Sequence, residues 1–216
     1  MKLLIFDLDG TLIDSKIDLV HSVNAARALM DLAPISADLV ATYVGSGAPV
    51  LMRRALGPDP SEADVQRALR YFLDYYREHM LDNTYVYPGV REALDRLHDA
   101  GLQMAVLTNK PVRFSQALVQ GLGLGSHFFR IYGGNSFEQK KPDPVGILTL
   151  LEESGAAKER TIMVGDSNVD VRTARNAQVM ACGVTYGFQP ETFEQDPPDL
   201  MVDDMQQLAE YVLNGR

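Results

Sequence analysis

Residues 6–14 read FDLDGTLID and set Asp7 and Asp9 two positions apart, directly behind the apolar run LLIF. Two carboxylates about 4 Å apart repel by ~1 kcal/mol in water and by roughly 4 kcal/mol at a protein-like effective dielectric. A buried strand that ends this way needs compensation, and three further motifs bear groups that could supply it: TNK at 108–110, KKPDP at 140–144 and GDSNVD at 165–170. If these meet, Asp7, Asp9, Asp166 and Asp170 bring four negative charges and Lys141 one positive charge. Hard oxygen donors in that excess select Mg²⁺. One negative charge then remains, and a proton shared among like-charged neighbours, placed on Asp9, cancels it. Such a site suits phosphoryl transfer, which depends on positioning and charge neutralisation. A carboxylate can attack in line and form an acyl phosphate. A protonated acid two residues on can serve the leaving group and later take a proton from water. Thr108 and the main-chain N–H groups after it can bond the non-bridging oxygens.

The elements that must position these groups are legible in the pattern. LLIFDL reads as a buried strand. Residues 15–82 then read as helical, with stripes at Leu19, Val23, Ala26 and Met30 and again at Val65, Leu69, Phe72, Tyr76 and Met80. SADLVATYV and PVLMRRAL give shorter helices between them, and Ser61 caps the later long one. From YPGV at 87–90 the chain alternates helices with the strands LQMAVLTN, FRIYGG, TIMVGD, VMACGVTYG and DLMV. Near-continuous apolar strands alternating with helices mean a parallel sheet covered on both faces. The fold class is therefore α/β, a Rossmann-like parallel-sheet core formed by 1–14 and 83–216, with a small helical cap of 15–82 inserted after the first strand. Every chemical motif follows a strand, so all share one sheet edge, where open α/β sheets bind ligands. The insertion is placed as a lid over that edge.

A net charge of −9 argues against nucleic acid or an anionic membrane as partner. No apolar run approaches the ~20 residues of a membrane span. The chain enters its first strand by residue 3, so no signal peptide is expected, and the single cysteine, Cys182, reads as a buried strand residue. A reducing, cytoplasmic setting follows as the expectation. No feature specifies an oligomeric state.

DLDGT, LTNK, the KP of KKPDP and GDSNVD, in this order and spacing, resemble the four motifs of the haloacid dehalogenase superfamily of Mg²⁺-dependent phosphohydrolases, over almost the whole chain. The resemblance implies Asp7 as nucleophile and Asp9 as general acid/base, with Thr108, Asn109 and Lys141 binding phosphate. It implies Asp7, Asp9 (through its main-chain carbonyl) and Asp166 as metal ligands, with Asp170 a ligand or an orienting neighbour. It also implies a sheet order of 5-4-1-2-3. Asp9 argues against the dehalogenases themselves, which lack an acid there. GSGAPVLMRRALG at 45–57 is similar to a stretch of the phosphoglycolate phosphatase branch, which makes Gly45, Ser46, Gly47 and Arg54 candidates for substrate contact; Lys110, after Thr108 and Asn109, is a further candidate facing the mouth of the site. The implied partner is a small phosphorylated metabolite, 2-phosphoglycolate first. Pyrophosphatase, sugar-phosphate phosphatase, phosphomutase and a non-catalytic receiver-like module stand as alternatives. Lys140 reads as a surface lysine and YFLDYYREHM as packing.

Overall fold

The computed structural model describes residues 1–215; Arg216, the last residue of the expected core segment, lies outside them. Six parallel strands form the main sheet: β1 (Leu3–Phe6), β4 (Gln103–Leu107), β5 (Arg130–Tyr132), β6 (Thr161–Gly165), β7 (Met180–Val184) and β8 (Leu200–Val202). Their order is β5-β4-β1-β6-β7-β8. This is the expected order with a sixth strand added beside the fifth, and it puts β1 in the interior with β4 and β6 on either side.

Alternation along β1 explains the two layers. Leu3 and Ile5 pack into one buried cluster with Ile147, Leu150, Val171 and Ala174, from α7 (Val145–Ser154) and α8 (Asn168–Ala177). Leu4 and Phe6 face the other way, toward Leu94, Leu118 and Leu208 of α5 (Val90–Asp99), α6 (Val112–Gly121) and α9 (Met205–Asn214). Side chains two apart on a strand share a face, so one tetrapeptide serves both layers.

Between β1 and α5 the chain forms α1 (Lys16–Leu29), α2 (Ala37–Ala41), α3 (Ala48–Ala55) and α4 (Glu62–His79). Ser61 caps α4 as expected, its hydroxyl accepting from Asp64 N at 3.1 Å. These helices do not carry a separate core. Val40, Leu51, Met52, Phe72 and Tyr76 belong to the same apolar cluster as Leu4 and Phe6.

The chain leaves and re-enters the sheet layer through a feature with no sequence signal, the antiparallel pair β2 (Ile13–Asp14) and β3 (Tyr85–Val86). Beside it, the buried carboxylate of Asp18 accepts from Asn83 N and Nδ2 and from Thr84 N and Oγ1 at 2.7–3.1 Å. One side chain from the first turn of α1 thereby fastens both crossings.

Candidate active site

The strands β1, β4 and β6 end side by side, and the acid motifs follow them. Asp7 N donates to Val164 O at 2.9 Å, so the first carboxylate leaves from the last rung of the ladder. Oxygens of Asp7, Asp166 and Asp170 lie within 4.8 Å of one another, and all three residues are buried. Two glycines make room. A Cβ on Gly10, whose φ is +83°, would sit 2.1 Å from Asp166 Oδ2, and one on Gly165 would sit 2.1 Å from Asp170 Cγ.

The three acids differ in what already holds them. Asp170 is held at both oxygens: Oδ1 accepts from Lys141 Nζ at 2.6 Å, and Oδ2 accepts from Ser167 N at 3.2 Å and Ser167 Oγ at 2.9 Å. Asp166 Oδ2 accepts from Phe188 N at 2.6 Å. Asp7 Oδ1 lies 2.9 Å from Lys141 Nζ but is not aligned for a hydrogen bond and has no other partner among the described residues. Burial pushes the Asp7 carboxyl up to about 6, against the pull of Lys141 and with a smaller upward push from Asp170. Burial, then the neighbouring Asp170 and Asp7, raise Asp166 well above the carboxylate range. Burial alone would lower Lys141, but Asp170 and Asp7 outweigh it and hold its ammonium above the usual lysine range. This is a buried, under-neutralised set of oxygen donors, and its chemistry fits a hard divalent cation.

Asp9 stands apart from that cluster. Its Oδ1 accepts from Ser15 Oγ at 2.6 Å, and Lys110 Nζ lies 3.1 Å from Oδ1 and 2.8 Å from Oδ2. The carboxylate of Asp9 is therefore not among the clustered metal-ligating groups. Lys110 also changes the charge count. Four carboxylates with two buried ammonium groups leave two negative charges, which one divalent cation neutralises. The sequence count missed this because Lys110 gives no sign of its burial.

A cavity opens above these groups, lined from the sheet by Asp7, Asp9, Thr108, Asn109, Lys110 and Asp166. The amide of Thr108 is used in the sheet, donating to Tyr132 O at 3.0 Å, so Thr108 offers the cavity its hydroxyl. Asn109 does two jobs: its Nδ2 donates to Lys141 O at 2.9 Å and to Gly45 O at 2.8 Å, while its Oδ1 is buried without a partner.

Gly45 and Gly47 line the cavity, but what their sequence pattern supplies is a backbone path. With φ of +98° and +89°, the two glycines turn the carbonyls of this loop toward the sheet layer. There Lys140 Nζ donates to Ser46 O at 2.6 Å, and Gln189 Nε2 donates to Ala41 O at 2.8 Å and Val44 O at 2.9 Å. Lys140 is exposed, as expected of a surface lysine, yet its ammonium reaches this loop. The side chain of Ser46 does not line the cavity. Neither does Arg54. Helix α3 turns Leu51, Met52 and Ala55 inward, so Arg53 and Arg54 project to solvent and border a separate shallow groove with Gly57 and Asp59. Its amphipathic pattern, rather than a ligand, sets where Arg54 points.

Phe188, Gln189, Ser15 and Tyr76 went unread in the sequence. Phe188 and Gln189 sit in a stretch that reads as loop, Ser15 carries no signal of its own at the edge of the helical insertion, and Tyr76 lies in an aromatic run that reads as packing. Cys182 is buried as expected, and burial pushes its thiol up to about 12.

The sequence profile of haloacid dehalogenase-like hydrolases matches residues 4–184. The chain belongs to the haloacid dehalogenase-like hydrolase family. Within this family it is 42% identical to a phosphoglycolate phosphatase of Pseudomonas putida, over 96% of this chain and 78% of that protein. It is 41% identical to a phosphoglycolate phosphatase of Agrobacterium fabrum, over 96% of this chain and 90% of that protein. Among solved structures, a predicted phosphoglycolate phosphatase from Haemophilus somnus superposes with a TM-score of 0.92 at 33% identity, covering 100% of this chain and 98% of that one. This haloacid dehalogenase-like hydrolase therefore shares its fold with that solved structure. No helix among its described residues is long and apolar enough to cross a membrane.

Proposed function

We propose that this chain is a Mg²⁺-dependent phosphomonoesterase that hydrolyses 2-phosphoglycolate to glycolate and phosphate through an aspartyl phosphate. The observation that carries this is Asp7: a buried carboxylate, unencumbered by hydrogen bonds at Oδ1, beside Lys141 and Asp166 at the floor of a cavity. Its relatives bear the name of that activity.

Asp7 and Asp166, with the main-chain carbonyl of Asp9, would hold Mg²⁺. Asp170, already bonded at both oxygens, would orient Lys141 and the cluster. When bound, the cation supplies charge neutralisation between the attacking carboxylate and the phosphoryl oxygens. Asp7 attacks phosphorus, the P–O bond to the leaving alkoxide breaks, and Asp9, which must enter this step in its protonated form, gives that oxygen its proton. Asp9 then takes a proton from the water that attacks the aspartyl phosphate, releasing phosphate and restoring Asp7. Lys141 and the Thr108 hydroxyl balance the charge of the non-bridging oxygens. Residues 15–82 act as a lid, hinged at the β2–β3 pair, that keeps bulk water from the acyl phosphate.

The test is orthophosphate release from 2-phosphoglycolate after exhaustive chelation and after Mg²⁺ is restored. Loss and recovery of turnover support the proposal. Full activity in the chelated enzyme rules out the metal, and an isomerised product without free phosphate would make the enzyme a mutase.

A further inference from the structure

Tyr76 carries the least explained group in the cavity. It is 1% exposed, lines the cavity, and its hydroxyl has no hydrogen-bond partner among the described residues. The Lys110 ammonium, itself only a donor, is its polar neighbour, so the hydroxyl keeps its own proton for another acceptor. The ring is held by Phe72, stacked at 5.8 Å, and by Phe114, edge-on at 5.4 Å. Burial pushes the phenol up to about 12, which keeps it a neutral donor.

Lys110 lies beside it, with Nζ 4.5 Å from the Tyr76 ring centroid. Among the cavity's lining residues Lys110 is the one cation. An ammonium has three N–H donors. Asp9 engages at most two, through contacts at 2.8 and 3.1 Å, and the ammonium also faces Tyr76. The wall above is apolar, built by Leu19, Val44, Leu51, Phe72, Leu73 and Phe114. A sugar's hydroxyls would face that wall unpaired. A compact substrate with one further anionic group would find a charge partner and a neutral donor together at Lys110 and Tyr76.

We infer that Lys110 and Tyr76 form a subsite for a carboxylate carried close to the phosphoryl group, so that the enzyme selects short, acidic phosphomonoesters. The inference rests on the phosphomonoesterase reading above and adds to it the residues that read the rest of the substrate. Lys110 then serves both sides of the cavity, steadying Asp9 and receiving the substrate's second charge.

The test compares kcat/KM for 2-phosphoglycolate, ethyl phosphate and phosphoethanolamine, which carry an anionic, an apolar and a cationic group beyond the same ester methylene. The wild-type enzyme is expected to rank them in that order. Tyr76→Phe is expected to lower kcat/KM for 2-phosphoglycolate about tenfold or more, as for loss of a hydrogen bond to a charged group, while ethyl phosphate changes by less than about twofold. A purely packing role for Tyr76 would lower both alike, and that result overturns the inference. So does a wild-type preference for ethyl phosphate or phosphoethanolamine, a readout that needs no variant to fold. If the wild-type enzyme hydrolyses none of the three, the phosphomonoesterase reading itself fails, and the subsite falls with it.

Discussion

Lys110 Nζ sits 2.8 Å from Asp9 Oδ2, an ion pair whose two side chains are only 5% and 9% exposed. This pair keeps the second acid of the DLDGT motif away from the three-carboxylate cluster, although the two acids are only two residues apart in sequence. Attraction of Asp9 to the Lys110 ammonium and of Asp7 to the Lys141 ammonium separates carboxylates that would otherwise repel. It follows that Asp9→Asn should cut kcat by about 10²–10⁴-fold, the range of a lost general acid/base. Mg²⁺ affinity, measured by isothermal titration calorimetry, should remain within about threefold, because the carboxylate of Asp9 is not in the cluster.

Asp7→Asn should abolish turnover and the acid-stable phosphoenzyme trapped by rapid quench. It should also show a diagnostic pH dependence without metal. Burial raises the Asp7 carboxyl to about 6. An acid raised on folding binds its proton more tightly in the folded chain, so its contribution to stability is present at low pH and lost as pH rises through that value. Asparagine imitates the protonated form. The Tm advantage of Asp7→Asn over wild type should therefore be small at about pH 5, grow by about pH 7.5, and vanish in saturating Mg²⁺, as scanning calorimetry would record.

Asp18→Ala should be among the more damaging substitutions remote from the cavity. It removes the acceptor of four donors on Asn83 and Thr84. A loss of ~3 kcal/mol is expected, read as a lower urea midpoint at unchanged slope.

Gln189→Ala should loosen the lid without touching the acids. Two neutral hydrogen bonds to the 41–44 main chain disappear, worth about 1–3 kcal/mol together. Amide exchange across residues 37–47 should accelerate, and KM should rise more than kcat falls.

Much of this was legible beforehand because it follows from periodicity. Four near-continuous apolar strands each run into a polar motif, and a parallel sheet brings such ends together whatever lies between them. The order β5-β4-β1-β6-β7-β8 needed only the family pattern plus the DLMV strand. What escaped was set by tertiary direction. Arg54 belonged to a suggestive stretch, but the amphipathic face of α3 turned it to solvent. Lys110 looked optional until its burial showed it to be part of the charge balance. Asp18 and Gln189 make their bonds to residues 65 and 148 positions away, beyond any local pattern.

The loop from Ala41 to Ser46 is gripped by its peptide oxygens: Gln189 takes those of Ala41 and Val44, Asn109 that of Gly45, and Lys140 that of Ser46. Peptide oxygens are the same whichever residue supplies them. Mutations at Thr42, Tyr43 or Ser46 can accordingly accumulate while the docking persists, provided the two glycines keep their path. Descendants of this enzyme could alter the roof of the cavity and change what they accept, leaving the fastening beneath it intact.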